Sequence, residues 1–173
     1  HQTADTGDLF SYAIEYEPGR VKGYYPKFPK KEQQVCSPLI SFRRGLNLLV
    51  NKLHLKQTRI SSVCYSYDDA WKRILNIQPA DEKVMPGAFV DWDNTPRYKS
   101  RASIYQGVTP EKFDLYLTQQ ICHARDDYKK DMIFMFAWNE WGEGGYLEPD
   151  EKYGYGMLEA VHNALDKTGE LEN

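Results

Sequence analysis

The residues best suited to chemistry stand together at Trp138–Asn139–Glu140–Trp141–Gly142–Glu143, with Glu148 following after Gly144–Gly145–Tyr146–Leu147. Two carboxylates three positions apart on a glycine-bearing turn can meet over one small substrate group. Glycoside cleavage or transfer has that requirement: one carboxyl donates a proton while a second acts as nucleophile, base or charge stabiliser. Trp138 and Trp141 offer flat apolar faces on which a sugar ring can stack, and Asn139 adds an amide beside them. A single exposed Glu is ordinarily a solvated charge. A cluster of them on a loop held by a scaffold is where function concentrates.

The loop needs elements on either side to hold it. Before it runs Met132–Ile133–Phe134–Met135–Phe136–Ala137, apolar and of strand length; after it, Tyr155, Leu158, Val161 and Leu165 recur at helical spacing. The helix is expected to close at Gly169, with Lys167 in its last turn. Strand, carboxylate loop and helix together place the acids at the carboxyl end of a strand, where α/β folds build their sites. Three earlier strands are expected, at 9–17, 59–65 and 84–92, the third interrupted by Pro86–Gly87. Each ends in candidate site residues. Glu15 and Glu17 point the same way by alternation and either reach the site or line its rim. Tyr65 and Tyr67 lie at the exit of the second strand. Asp91, Trp92, Asp93, Asn94 and Arg97 follow the third. Asp91 and Asp93 form a D-x-D that can hold a divalent metal on a nucleotide-sugar diphosphate, although Asp and Asn also favour turns for local hydrogen-bonding reasons. Arg97 can hold an anionic substrate group or, more commonly, pair with a loop carboxylate. Helices are expected at 37–53, after an Asp68 N-cap, and from Thr109–Pro110–Glu111, an N-cap followed by Pro and an acid. Residues 23–31 read as a Pro-, Lys- and aromatic-rich loop.

The stretch FAWNEWGEGGYLEPDEKYGYGMLEA resembles the C-terminal signature of the WbsX family. PGAFVDWDNTPRY at 86–98 and YAIEYEP at 12–18 resemble it too, in order along the chain. That family is associated with bacterial polysaccharides, is often labelled glycosyltransferase, and is similar to the glycoside hydrolase family 99 endo-mannosidases. The resemblance implies the C-terminal half of a (β/α)8 barrel: α/β, with four parallel strands each followed by a helix and the site at the strand C-termini. It also implies catalysis by Glu140 and Glu143. In those relatives one carboxylate assists the sugar 2-hydroxyl to attack its own anomeric carbon, and the other protonates the leaving oxygen. The substrate class implied is the glycosidic bonds of bacterial surface polysaccharide, of lipopolysaccharide or O-antigen type.

The chain has 173 residues, enough for one domain, whereas a complete (β/α)8 barrel takes about 250. The expected partners are therefore a missing N-terminal half of the barrel or a second copy of the chain, besides the carbohydrate. A net charge of -3 and a pI near 5.8 offer nucleic acid no basic surface. No apolar run approaches the roughly 18 residues of a membrane span. Cys36, Cys64 and Cys122 are widely spaced, form no zinc pattern, and read as reduced thiols in the cytoplasm. No G-x-G-x-x-G follows a strand, so no cofactor and no metal is expected for an acid-pair enzyme. Two alternatives stand beside it: a nucleotide-sugar-dependent glycosyltransferase using the D-x-D, and a non-catalytic sugar-binding fragment.

Overall fold

The computed structural model describes residues 11–20 and 62–171. The expected helix at 37–53, the loop at 23–31 and the start of the strand at 9–17 lie outside the described residues. Within them the fold is mixed α/β, with short parallel strand pairs. Strand β1 is Ala13–Ile14, β2 is Val63–Ser66, β3 is Val84–Met85 and β4 is Gly87–Phe89. Then come β5 at Ser103–Gln106, β6 at Phe134–Phe136, and the small hairpin of β7, Asn139–Glu140, and β8, Gly145–Tyr146. The helices are α1 Tyr67–Ile74, the single turn α2 Thr95–Tyr98, α3 Pro110–His123 and α4 Gly156–Thr168.

Pro86 has no N–H to give to a ladder, and it divides the third expected strand into β3 and β4. The two still act as one central element. Met85 O accepts from Glu15 N–H at 3.0 Å on one side, while Pro86 O and Val90 N–H bond to Phe134 and Phe136 at 3.0 Å on the other. The strand therefore has β1 parallel on one flank and β6 parallel on the other. Gly87 permits this closeness, because a Cβ there would run into the Glu15 carbonyl.

The second expected strand departs from the simple order of four. β2 pairs in parallel with β5, in register Val63↔Ser103 to Ser66↔Gln106, and β5 was not among the expected strands. Only the single turn α2 and a 3-10 turn separate β4 from β5, so β4 lacks the full helix that a uniform β/α alternation puts there. The N-cap of α1 is Ser66, which accepts from Asp69 N–H at 3.2 Å. Asp68, expected in that role, instead accepts from Lys112 Nζ at 2.7 Å and Tyr116 OH at 2.8 Å, tying α1 to α3. Cys64, expected as a reduced thiol, is disulfide-bonded, whereas Cys122 is free. Disulfides persist in oxidising compartments and are rare in the cytosol, so the thiol-based reason for a cytoplasmic location falls. Among the described residues no helix is long and apolar enough to cross a membrane.

The core lies between the strands and α1, α3 and α4. Trp71 is fully buried, stacked between Phe89 at 5.5 Å and Tyr116 at 5.7 Å. α3 begins as its sequence dictates, with Thr109 Oγ1 accepting Lys112 N–H and Pro at the first position. Ala160 and Ala164, both buried, let α4 close against α3. Gln120 Nε2 donates to Gly87 O at 2.8 Å and Tyr67 OH to Val90 O at 2.9 Å, so the helices also hold the backbone of the interrupted strand. This fixes the end of the strand from which residues 91–97 emerge.

Candidate functional site

The chain leaves β6 at Trp138 and folds back as the β7–β8 hairpin, pairing Asn139 with Tyr146 and Glu140 with Gly145. A 3-10 turn over Trp141–Glu143 joins the two, closed by Gly144 at φ 71°. The glycines have a second purpose. A Cβ on Gly142 would lie 2.7 Å from Arg97 Nε, and one on Gly144 would lie 2.7 Å from the Asp93 backbone nitrogen. The acid turn thus sits directly on the 93–97 turn, and Asp93 N–H donates to Glu143 O at 2.8 Å. The two polar clusters, expected at the same end of parallel strands, are in contact.

Arg97 joins them. Its Nη2 lies 2.7 Å from Glu140 Oε1 and its Nη1 3.2 Å from Glu143 Oε1. One guanidinium spans both carboxylates, using the planar fork that suits Arg to this task. Glu143 is the more enclosed of the two acids, with 14% of its side chain exposed against 30% for Glu140. The neighbours of Arg97 set its position. Asp93 Oδ1 accepts Thr95 N–H at 2.9 Å, buried Asn94 Oδ1 accepts Ser103 N–H at 2.8 Å, and Asn94 O accepts from Arg97 and Tyr98 N–H.

The tryptophans divide by role. Trp138 and Trp141 are 55% and 47% exposed. Trp141 stacks on Tyr146 at 3.8 Å and 14°, and its Nε1 donates to Glu148 Oε2 at 2.6 Å. Tyr146 OH donates in turn to Asp150 Oδ2 at 2.9 Å. Trp141 is therefore a platform braced from behind and at its edge; Tyr146 and Asp150, which brace it, carried no signal of their own in the sequence. Asn139 is exposed beside it. Trp92 is buried, with Nε1 on Ser103 Oγ at 3.0 Å and its ring 5.4 Å from Phe136, so it packs beneath the site.

Four expected residues are buried or half-buried within the fold. Glu15 is buried, accepting from Tyr128 OH at 2.6 Å and pairing with Arg20. Glu17 is 1% exposed. Tyr65 packs on Tyr105 at 5.2 Å, and Tyr67 is fully enclosed in the core. Asp91 Oδ1 accepts Trp92 N–H at 2.6 Å. Among the described residues no group of three His, Cys, Asp or Glu side chains is placed to hold a metal ion.

Burial pushes the Asp91 carboxyl up to about 6, with the Trp92 N–H and Lys152 opposing and Asp93 and Asp150 adding to the rise. A folded value above the unfolded one means that its stabilising contribution is complete below about pH 4 and is lost as pH rises through about 6. Asp91→Asn keeps an oxygen for Trp92 N–H and carries no charge. It is expected to raise stability at neutral pH by on the order of 2–3 kcal/mol and to change nothing below about pH 4. Urea unfolding midpoints across pH check this.

The family model described as Glycosyltransferase WbsX matches residues 17–161. The chain belongs to the WbsX family. It is 36% identical over 93 residues to "Uncharacterized protein WxcX" of Xanthomonas campestris pv. campestris, in strain B100 and again in strain ATCC 33913. Those matches cover 53% of this chain and 13% of the length of each curated relative. No solved structure matches.

The region matched by the WbsX model contains the acid turn, the 91–97 turn and both elements that carry them. The family model's description names a glycosyltransferase, and the ion-paired turns lie within the residues it matches. Lys at position 97 would keep the charge but present one ammonium in place of two spaced nitrogens. Arg97→Lys is expected to leave the unfolding midpoint unchanged and lower turnover by on the order of ten- to a hundredfold, through misplacement of the acids. Paired thermal melts and initial rates of the WbsX protein check this.

Proposed function

We propose that this chain carries the acid pair of an enzyme that cleaves or transfers glycosidic bonds of a bacterial surface polysaccharide, of lipopolysaccharide or O-antigen type. The supporting observation is the single guanidinium of Arg97 on both Glu140 and Glu143, beside two exposed tryptophans. Two carboxylates on one turn repel each other, and a cation between them offsets that repulsion and sets their spacing. A sugar placed against Trp138 and Trp141 then meets one carboxyl to protonate the departing oxygen and a second to assist attack at the anomeric carbon. In this reading Glu148 holds the Trp141 platform. The scaffold is the C-terminal half of a (β/α)8 barrel, whose remaining wall comes from another part of a longer protein or from a second copy.

The family description favours transfer, and the D-x-D would serve a nucleotide-sugar donor. Against a metal role, one oxygen of Asp91 and one of Asp93 each cap a backbone N–H of their own turn. The test is turnover of the native glycan by Glu140→Gln and Glu143→Gln variants, with and without EDTA. Loss of turnover in both variants with indifference to EDTA supports the acid pair. Full turnover in both, together with EDTA-sensitive transfer lost in Asp91→Asn and Asp93→Asn, would establish the transferase instead.

A further inference from the structure

Tyr16 stands in sequence between two buried carboxylates, yet its side chain is 52% exposed. Just past the end of β1, Glu15 and Glu17 are buried while Tyr16 is exposed, so its side chain faces away from theirs. Its ring meets Phe136 edge-on, centroids 5.4 Å apart at 74°. Phe136 ends β6, two residues before Trp138. The chain turns close to the ring at Gly19, where a Cβ would lie 2.7 Å from Tyr16 Cδ1, and Arg20 N–H closes the turn on Tyr16 O at 2.8 Å. The ring is therefore positioned by Phe136 and by the turn at Gly19.

The hydroxyl end lies in the field of the acid site. Partial burial first, then Glu143 and Glu140, push the phenol above its ordinary range, with Arg97 opposing. It stays protonated across neutral pH. Among the described residues no hydrogen bond ends on it. Both terminal nitrogens of Arg97 face the two acids, so its donors are already engaged there. A sugar oxygen entering beside these groups can accept from the phenol as a further, neutral donor.

We propose that the Tyr16 hydroxyl is a third polar group of the acid-pair site, donating a hydrogen bond to a sugar oxygen at the reacting centre where Glu140 and Glu143 act. This rests on the acid-pair reading above and adds a substrate-contacting residue to it. The sugar class it suits is one whose reacting region presents neutral hydroxyl or ring oxygens as acceptors.

Tyr16→Phe keeps the ring against Phe136 and removes only the hydroxyl. Turnover of the native glycan is expected to fall about tenfold, the worth of one well-placed hydrogen bond, at an unchanged unfolding midpoint. Tyr16→Leu removes the ring contact as well. If Phe is as active as the parent and only Leu loses activity, the ring alone matters and the proposal is overturned. Placement is read separately, from the Tyr16 Cζ resonance of carbon-13 tyrosine-labelled protein over a pH titration. Glu143→Gln should lower the pH at which Tyr16 titrates; no response to that variant also overturns the proposal. Inactive Glu140→Gln and Glu143→Gln variants beside a fully active Tyr16→Phe would sink this inference and leave the acid pair standing. Fully active glutamine variants would remove the acid pair and this inference with it.

Discussion

Glutamine at Glu140 or at Glu143 is expected to cost at least about a hundredfold in turnover of the native glycan, because general acid–base assistance ordinarily contributes 10²- to 10⁴-fold. The amide keeps the shape of each side chain and an oxygen for Arg97, so the loss reports charge and proton transfer. Each acid is held by one nitrogen of Arg97 on a turn whose glycines leave no room for a side chain on either seat. The fold should therefore survive both substitutions, with unfolding midpoints near the parent's. The double variant should be little worse than the singles, since the two acids act in one step. Glu148→Gln is the control. Its oxygen can still accept from Trp141 Nε1, and turnover should change several-fold at most. Rates on the native glycan, measured with circular dichroism melts of the same samples, decide the matter. Near-parental turnover by either glutamine variant would remove that acid from the chemistry.

Trp71→Ala is expected to destabilise the fold by about 3–5 kcal/mol, the usual cost of deleting a large buried aromatic. Trp71 is 0% exposed. Its ring lies within 9° of parallel to Phe89 and within 7° of parallel to Tyr116, and it meets Tyr67 edge-on. Removing it opens a space between α1, β4 and α3, whose walls are aromatic rings locked by one another. Phe89 stands two residues before Asp91, so the loss reaches the strand exit that supports the 93–97 turn. A fall in the urea midpoint, accompanied by lost activity at temperatures where the parent is folded, is the expected signature. Lys72→Ala, at an exposed neighbouring position, should shift stability by no more than about 0.5 kcal/mol. Equal effects at the two positions would mean that Trp71 is not part of the core.

Much of this was legible in residue order because it rests on short-range rules. Thr109–Pro110–Glu111 announces α3, and Gly169, at φ 75°, ends α4. Pro86 splits its strand wherever that strand is placed. The meeting of the 91–97 and 138–148 clusters followed from one topological rule, that parallel strands put their exits on one side. The pairing of Arg97 with a loop carboxylate was foreseeable as the common role of such an arginine.

What only the tertiary structure decided is non-local. β5, Ser103–Gln106, has no long apolar run, and it becomes a strand because β2 lies beside it along four residues in register; strand propensity is mostly a property of the neighbour. Asp68 reads as an N-cap until α3 brings Lys112 and Tyr116 to it and leaves Ser66 to cap the helix. Glu15 and Glu17 are acids at a strand end, and nothing in their order says that the side they share is the buried one, where Tyr128 and Arg20 meet Glu15. The same choice of side leaves Tyr16 exposed. Residue types and spacing determined which groups can do chemistry and which strand ends carry them. Strand direction and packing, which join residues 43 positions apart at Arg97 and Glu140, decided which of those groups meet.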